Sequence, residues 1–209
     1  MHPLKKVYKL KKKTTPTTAK TEKKTPSFDP DKILKSKGLV LDTILEAFEK
    51  NKIHPMMTLI ETYLQSTNKS AFSKKIGISR ATLYDMLNGK KNPTVRIFAH
   101  CVHEILIDLD KKTSQTSSKA KKEKAAPSSE KIAKSKKLIL NAVVDVFKRN
   151  KVHPMIEVIR AYLKSKNKSV FAKDVGISRA TLYDMLNGKK NPTLRVFMQC
   201  VDVMINKNF

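Results

Sequence analysis

The chain has 209 residues, enough for one or two domains, and sets 44 Lys and Arg against 18 Asp and Glu, a formal net charge of +26. That excess calls for a polyanionic partner, either a nucleic acid or an acidic membrane surface. The absence of Trp, the scarcity of other aromatics and the 2 Cys argue against a base-stacking single-strand platform, a zinc knuckle and a disulfide framework.

Residues 1–31 form a Lys-, Thr- and Pro-rich tail with a net charge of +6. It holds too few apolar residues to offset the entropy of ordering, so disorder is expected. It lacks the apolar stretch of a signal peptide and contains no Arg, which argues against a mitochondrial transit peptide. No apolar run reaches the roughly 18 residues of a membrane span. The expected location is the cytoplasm, in association with the nucleoid.

An internal repeat follows. Residues 36–107 align with residues 135–206 without gaps at an offset of 99, with 41 of 72 positions identical. Gly77 to Thr94 and Gly176 to Thr193 both read GISRATLYDMLNGKKNPT. Between the repeats, residues 108–134 are rich in Lys, Ser and Ala, carry +4, and are expected to be a flexible linker. The first repeat carries +4 and the second +9.

Each repeat predicts about five helices. Leu41, Ile44, Leu45 and Phe48 fall on one helical stripe, as do Leu140, Val143, Val144 and Phe147. His54-Pro55 and His153-Pro154 open a second helix, since Pro is tolerated in a first turn. Its stripe is Met56, Leu59, Ile60, Tyr63 and Leu64, or Met155, Val158, Ile159, Tyr162 and Leu163 in the second copy. A short helix runs from about Lys69 to Ile76 behind the cap Asn68, and Gly77 ends it. The next runs from the cap Ser79 to Asn88, with Gly89 as its stop. Asn92-Pro93-Thr94 starts the last helix, which buries Val95, Phe98, Val102 and Ile105. No strand pattern competes. The expected class is all-α: two similar five-helix units on a flexible basic linker.

The two short central helices meet the demands of a helix-turn-helix. Their steep crossing needs correctly phased apolar contacts, supplied by Phe72, Ile76, Ile78, Leu83 and Met86 and by Phe171, Val175, Ile177, Leu182 and Met185. A small residue at the close approach is met by Ser73 and Ala172. A turn residue that accepts positive φ is met by Gly77 and Gly176. Burying that set turns Ser79, Arg80, Ala81, Tyr84, Asp85 and Asn88 outward. The second copy turns out Ser178, Arg179, Ala180, Tyr183, Asp184 and Asn187. Such a face suits the major groove of B-DNA. There Arg80 is placed to grip guanine, Asn88 to read adenine or hold a phosphate, and Ala81 or the Thr82 methyl to meet a thymine methyl. Two roles stay open for Asp85, accepting from cytosine or pairing with a nearby Lys. Two also stay open for Tyr84, a phosphate contact or packing on its neighbours. Candidate phosphate contacts are Lys69, Ser70, Lys74, Lys90, Lys91, Thr94 and Arg96, and Lys168, Ser169, Lys173, Lys189, Lys190, Thr193 and Arg195.

The stretch GISRATLYDMLNGKKNPTLRVF resembles the Cro/repressor-type helix-turn-helix domain, also called XRE-like or lambda-repressor-like. Within it, GISR-x-x-LY-x-x-L-x-G-x-x-NPT is similar to the antidote proteins of HigA-type addiction modules. The resemblance covers roughly Met56 to Leu106 and Met155 to Ile205. It implies a compact five-helix domain, duplex DNA binding and transcriptional control, with base contacts at the outward residues named above.

Nothing points to catalysis, a metal or a cofactor. His54 and His153 are explained by helix entry. His100 and His103 face Gln199 and Asp202 in the second copy, so no ligand set repeats. Cys101 and Cys200 lie among apolar residues and are expected in the core, a redox switch being the alternative. The partners expected are double-stranded DNA, a second copy of the chain, or a toxin protein, with no membrane. A flexible linker of about 27 residues spans roughly 26–31 Å, comparable to the half-site separation of about 34 Å, so one chain is expected to read two similar half-sites. A free tether leaves inverted and direct orientations both open. Three functions follow: a transcriptional regulator, an architectural nucleoid protein, and an antitoxin.

Overall fold

In the computed structural model, which describes residues 28–113 and 135–207, every regular element is a helix. The first, α1 (Pro30–Ile33), is a single turn capped by Asp29, whose carboxylate accepts from the Lys32 N–H at 3.2 Å. It recruits residues that the sequence assigns to the tail, because Pro30 is preset for the first helical position and Asp29 caps it.

The first repeat then folds as α2 (Lys37–Glu49), α3 (His54–Gln65), α4 (Lys69–Ile76), α5 (Arg80–Leu87) and α6 (Val95–Thr113). The second folds as α7 (Lys136–Arg149), α8 (His153–Tyr162), α9 (Lys168–Val175), α10 (Arg179–Leu186) and α11 (Leu194–Asn206). A 3-10 turn, Leu163–Ser165, extends α8. Asn51 and Asn150, with φ of 49° and 51°, turn the chain out of α2 and α7 through the left-handed region that Asn tolerates.

One boundary moves. The sequence ends the first repeat at residue 107, but α6 continues six residues further, to Thr113. Val102, Ile105, Leu106 and Leu109 continue one apolar stripe, and all four are buried. Lys37 secures the extension by pairing with Asp110 at 2.6 Å, and the Tyr63 hydroxyl donates to the Asp108 carboxylate. Tail residues 1–27 and linker residues 114–134, both expected to be disordered, lie outside the described residues.

The two repeats do not sit apart. Their buried apolar side chains form one continuous cluster. The Phe48 and Phe147 rings meet with centroids 5.7 Å apart. Phe48 also meets Phe197 at 5.8 Å, and Phe98 meets Phe147 at 5.4 Å, both edge-on. Such aromatic pairs add about 0.5–1.5 kcal/mol beyond the area they bury. At another point on the same interface, Thr94 and Thr193 form an isolated antiparallel bridge. There the Val95 N–H donates to the Pro192 carbonyl at 2.9 Å, and the Leu194 N–H to the Pro93 carbonyl at 2.7 Å. His103 Nδ1 lies 2.8 Å from the Lys148 carbonyl, and Lys136 lies 3.7 Å from Glu49.

The expectation of two units free to reorient on a tether is therefore corrected. The physical reason is the breadth of the apolar faces. In α11, Leu194, Phe197, Met198, Cys200, Val201, Val203, Met204 and Ile205 are all buried, more than one repeat can cover. In α7, Ile139 and Val146 are buried beside the four residues of the expected stripe. The excess is covered by the other repeat.

Candidate nucleic-acid interface

The central pair of helices is positioned by short-range chemistry. Asn68 caps α4, its side-chain oxygen accepting from the Ser70 and Ala71 N–H groups at 3.0 Å each. Gly77 leaves α4 at φ 77°, and the Ile78 N–H donates to the Ser73 carbonyl at 3.0 Å. A Cβ at Gly77 would meet nothing within 4 Å, so the position demands glycine for its dihedral and not for space. Ser79 then caps α5, accepting from the Thr82 N–H at 3.0 Å. Asn167, Gly176 and Ser178 repeat each of these roles.

Phe72, Ile76, Leu83 and Met86 are buried between the crossing helices and Ile78 is half-buried, as are Phe171, Val175, Leu182, Met185 and Ile177 in turn. Ser73 and Ala172 are buried at the close approach. This leaves Arg80, Ala81, Tyr84 and Asn88 exposed on α5 and its end, and Arg179, Ala180, Tyr183 and Asn187 exposed on α10 and its end.

Three of the expected contacts have structural occupations. The Ser79 hydroxyl is tied into its cap and lies 2.9 Å from the Thr82 hydroxyl, and Ser178 and Thr181 match this. Asp85 is half-buried and pairs with Lys91 at 2.8 Å, and Asp184 pairs with Lys190 at 3.1 Å. The hydrogen bond from Lys91 holds the Asp85 carboxyl below the usual carboxylate range. Of its two open roles, the lysine pair is the one made in this structure, which contains no DNA. The same lysines fold the loop back, since the Lys91 N–H donates to the Asp85 carbonyl at 3.0 Å and the Lys190 N–H to the Asp184 carbonyl at 3.2 Å. Gly89 and Gly188, both at φ 70°, make the turn.

Tyr84 packs against a neighbour: the Lys69 ammonium sits 5.7 Å from its ring centroid. Over Tyr183 lie Lys168 at 5.4 Å and the Arg179 guanidinium at 5.9 Å. Aromatic faces attract cations in this way, and the stacking holds these basic groups beside the exposed helix face.

Thr94 and Thr193, expected at the phosphate backbone, have contacts of their own. Both are half-buried at the bridge between the repeats. Their hydroxyls accept from the Ile97 and Val196 N–H groups at 3.3 Å each. With the Val95 and Leu194 N–H groups also given to carbonyls across the interface, the starts of α6 and α11 do not present those N–H groups to a phosphate. Ser70, Lys74, Lys90 and Arg96 remain exposed around the helix pair, as do Ser169, Lys173, Lys189 and Arg195.

Two basic residues near the interface were not singled out from the sequence. Lys166 is exposed in the turn before the cap of α9, with its ammonium 5.9 Å from the Tyr162 ring, where the first repeat has Thr67. Arg160 donates to the Leu186 carbonyl at the end of α10 and pairs with Glu157, where the first repeat has Glu61. The charge excess of the second repeat was the signal that pointed to them.

Among the described residues, no group of three or more His, Cys, Asp or Glu is placed to hold a metal ion. His153 lies 3.6 Å from Glu157 at the start of α8. Burial pushes the Cys101 and Cys200 thiols up to about 12, which fits core packing and keeps them protonated at neutral pH. No helix among the described residues is long and apolar enough to cross a membrane.

No curated protein and no solved structure matches the chain. The helix-turn-helix family model matches residues 159–204, from within α8 through α9 and α10 into α11. Residues 159–204 are therefore similar to a helix-turn-helix domain, in the copy whose central helix pair is α9 and α10.

Proposed function

We propose that the chain is a sequence-specific double-stranded DNA-binding protein that regulates transcription, a binding protein and not an enzyme. It reads two similar half-sites through the major groove, using α5 and α10. The observation that carries this reading is the pair of identical exposed faces. Arg80, Ala81, Tyr84 and Asn88 recur as Arg179, Ala180, Tyr183 and Asn187, each set on a capped helix behind a glycine turn. Arg and Asn on a major-groove helix supply base-specific hydrogen bonds, and the surrounding Lys and Arg supply the salt-dependent grip on phosphate. The place of action is the nucleoid.

The net charge of +26 favours a second reading, an architectural DNA-binding protein of low sequence preference. Selection of the full chain against random duplexes at rising salt separates the two. A sharp motif that survives at about 200 mM salt is the expected result. Tight binding with no enriched sequence gives the answer to the architectural reading.

A further inference from the structure

Resting on that reading, we propose that the chain is its own dimer: one molecule fills a bipartite site whose half-sites are inverted and one helical turn apart. The contacts between the repeats have the signature of a two-fold axis. Under a two-fold, an equivalent residue can meet its own counterpart, and every contact from i to j returns as a contact from j to i. Phe48 meets Phe147 and Thr94 meets Thr193, each pair separated by the repeat offset of 99. Phe48 with Phe197 is returned as Phe147 with Phe98, and Val95 to Pro192 is returned as Leu194 to Pro93. Head-to-tail packing of the two copies produces neither pattern.

A two-fold leaves directions along its axis unchanged and reverses those across it. Two faces related in this way that meet one duplex laid across the axis run in opposite senses along it. Identical faces in opposite senses read an inverted repeat.

The loops limit the spacing. The Asp85 carbonyl receives the Lys91 N–H, and only two residues, Asn92 and Pro93, separate Lys91 from Thr94, so the middle of α5 lies within about 18 Å of the bridge. The same path runs from Asp184 through Lys190 to Thr193. Cα atoms paired in an antiparallel bridge are about 5 Å apart, which puts the two helix centres within about 40 Å of each other. One turn of B-DNA, about 34 Å, fits this limit and two turns do not.

The test starts from the half-site enriched out of random duplexes by the full chain. It is rebuilt as inverted pairs in both senses, as direct pairs and as a single copy, with centres 10, 15 or 21 base pairs apart. One inverted arrangement at 10 base pairs is expected to bind about 100-fold tighter than the single copy, with one chain per duplex by native mass spectrometry. Equal binding of direct pairs, indifference to spacing, or two chains per inverted duplex overturns the inference and leaves DNA reading intact. Failure to enrich any half-site sinks the reading on which it rests. A second measurement uses a protease site inserted within residues 114–134. The cut protein is expected to keep its affinity for the inverted site within about 3-fold, because the shared core and not the tether joins the halves. A fall to single-site affinity overturns the inference.

Discussion

The two repeats share 18 unbroken residues, from Gly77 to Thr94 and Gly176 to Thr193, and differ around them. Inside that stretch the Ser cap and the Asp-Lys pair recur with nearly the same distances, and the lysine stacked on its tyrosine from the preceding helix recurs with them. Outside it, the charges have been rearranged. Lys75 on α4 pairs with Glu104 on α6 at 3.2 Å, whereas Asp174 on α9 pairs with Lys207 after α11 at 2.6 Å. The polarity of the link between corresponding helices is reversed while the link is kept. Asp108, which stands where the second copy has Lys207, is bound by Tyr63 instead. On the proposed reading, the unchanged stretch is the surface a partner reads, whereas a surface that only has to close on itself accepts any complementary pair.

That comparison breaks most sharply at the common core. Phe147→Ala removes a ring that touches both Phe48 and Phe98. It should cost about 3–5 kcal/mol. Urea unfolding followed by separate probes in each repeat should show one coincident transition, shifted as a whole. Two transitions, with only the second repeat weakened, would mean that the repeats fold as separate units.

The next effect concerns the identical faces. Arg80→Ala and Arg179→Ala should each weaken binding to the selected site by about 1–3 kcal/mol and relax preference at one base of its own half-site. The two losses should agree within about 3-fold when measured by fluorescence anisotropy, a spread of about 0.7 kcal/mol. A loss confined to one repeat would show that identical residues do not make identical contacts.

A smaller effect is peculiar to the first repeat. Burial, helped by the hydrogen bond to Asp108, lifts the Tyr63 hydroxyl from 10.0 to about 12. A pKa raised by folding gives stability that is complete below pH 10 and fades as pH climbs towards 12. The Tyr63 hydrogen bond also holds the Asp108 carboxyl below its ordinary range, and that contribution fades as acid protonates the carboxylate. Tyr63→Phe should lower stability by about 1–2 kcal/mol at neutral pH. It should also flatten the alkaline limb of the stability profile, which thermal melts between pH 8 and pH 11 would detect. An unchanged limb would place the alkaline sensitivity elsewhere. Smallest is Lys166→Thr, which gives the second repeat the residue of the first. The slope of log affinity against log salt should become shallower by about 0.9 with base preference intact. No change in slope would remove Lys166 from the phosphate contacts.

The sequence resolves best what local chemistry decides. Asn68, Gly77, Ser79 and Gly89 act through hydrogen bonds and dihedrals within a few residues of themselves, so the helix-turn-helix and its outward face are readable without knowledge of the rest. The roles of Asp85, Thr94 and Phe48 depend on partners that the chain brings up by folding. Spacing alone leaves Asp85 with two plausible partners, and it gives Thr94 the look of an ordinary helix start. The pairing of the repeats was legible in part. A last helix with Leu194, Phe197, Met198, Val201, Met204 and Ile205 is apolar over too much of its circumference to be covered from one side. Duplication conceals that clue, because two copies of a domain read equally well as independent beads.

The Thr94–Thr193 bridge has a consequence for how the molecule responds to dilution. Two separate chains that must associate before acting fall apart as they become scarce, so their activity drops more steeply than their number. Here the counterpart of Thr94 is supplied by the same polypeptide, and the pairing survives at any copy number. On the proposed reading, occupancy of a target below saturation then follows the first power of the amount of protein, without a threshold.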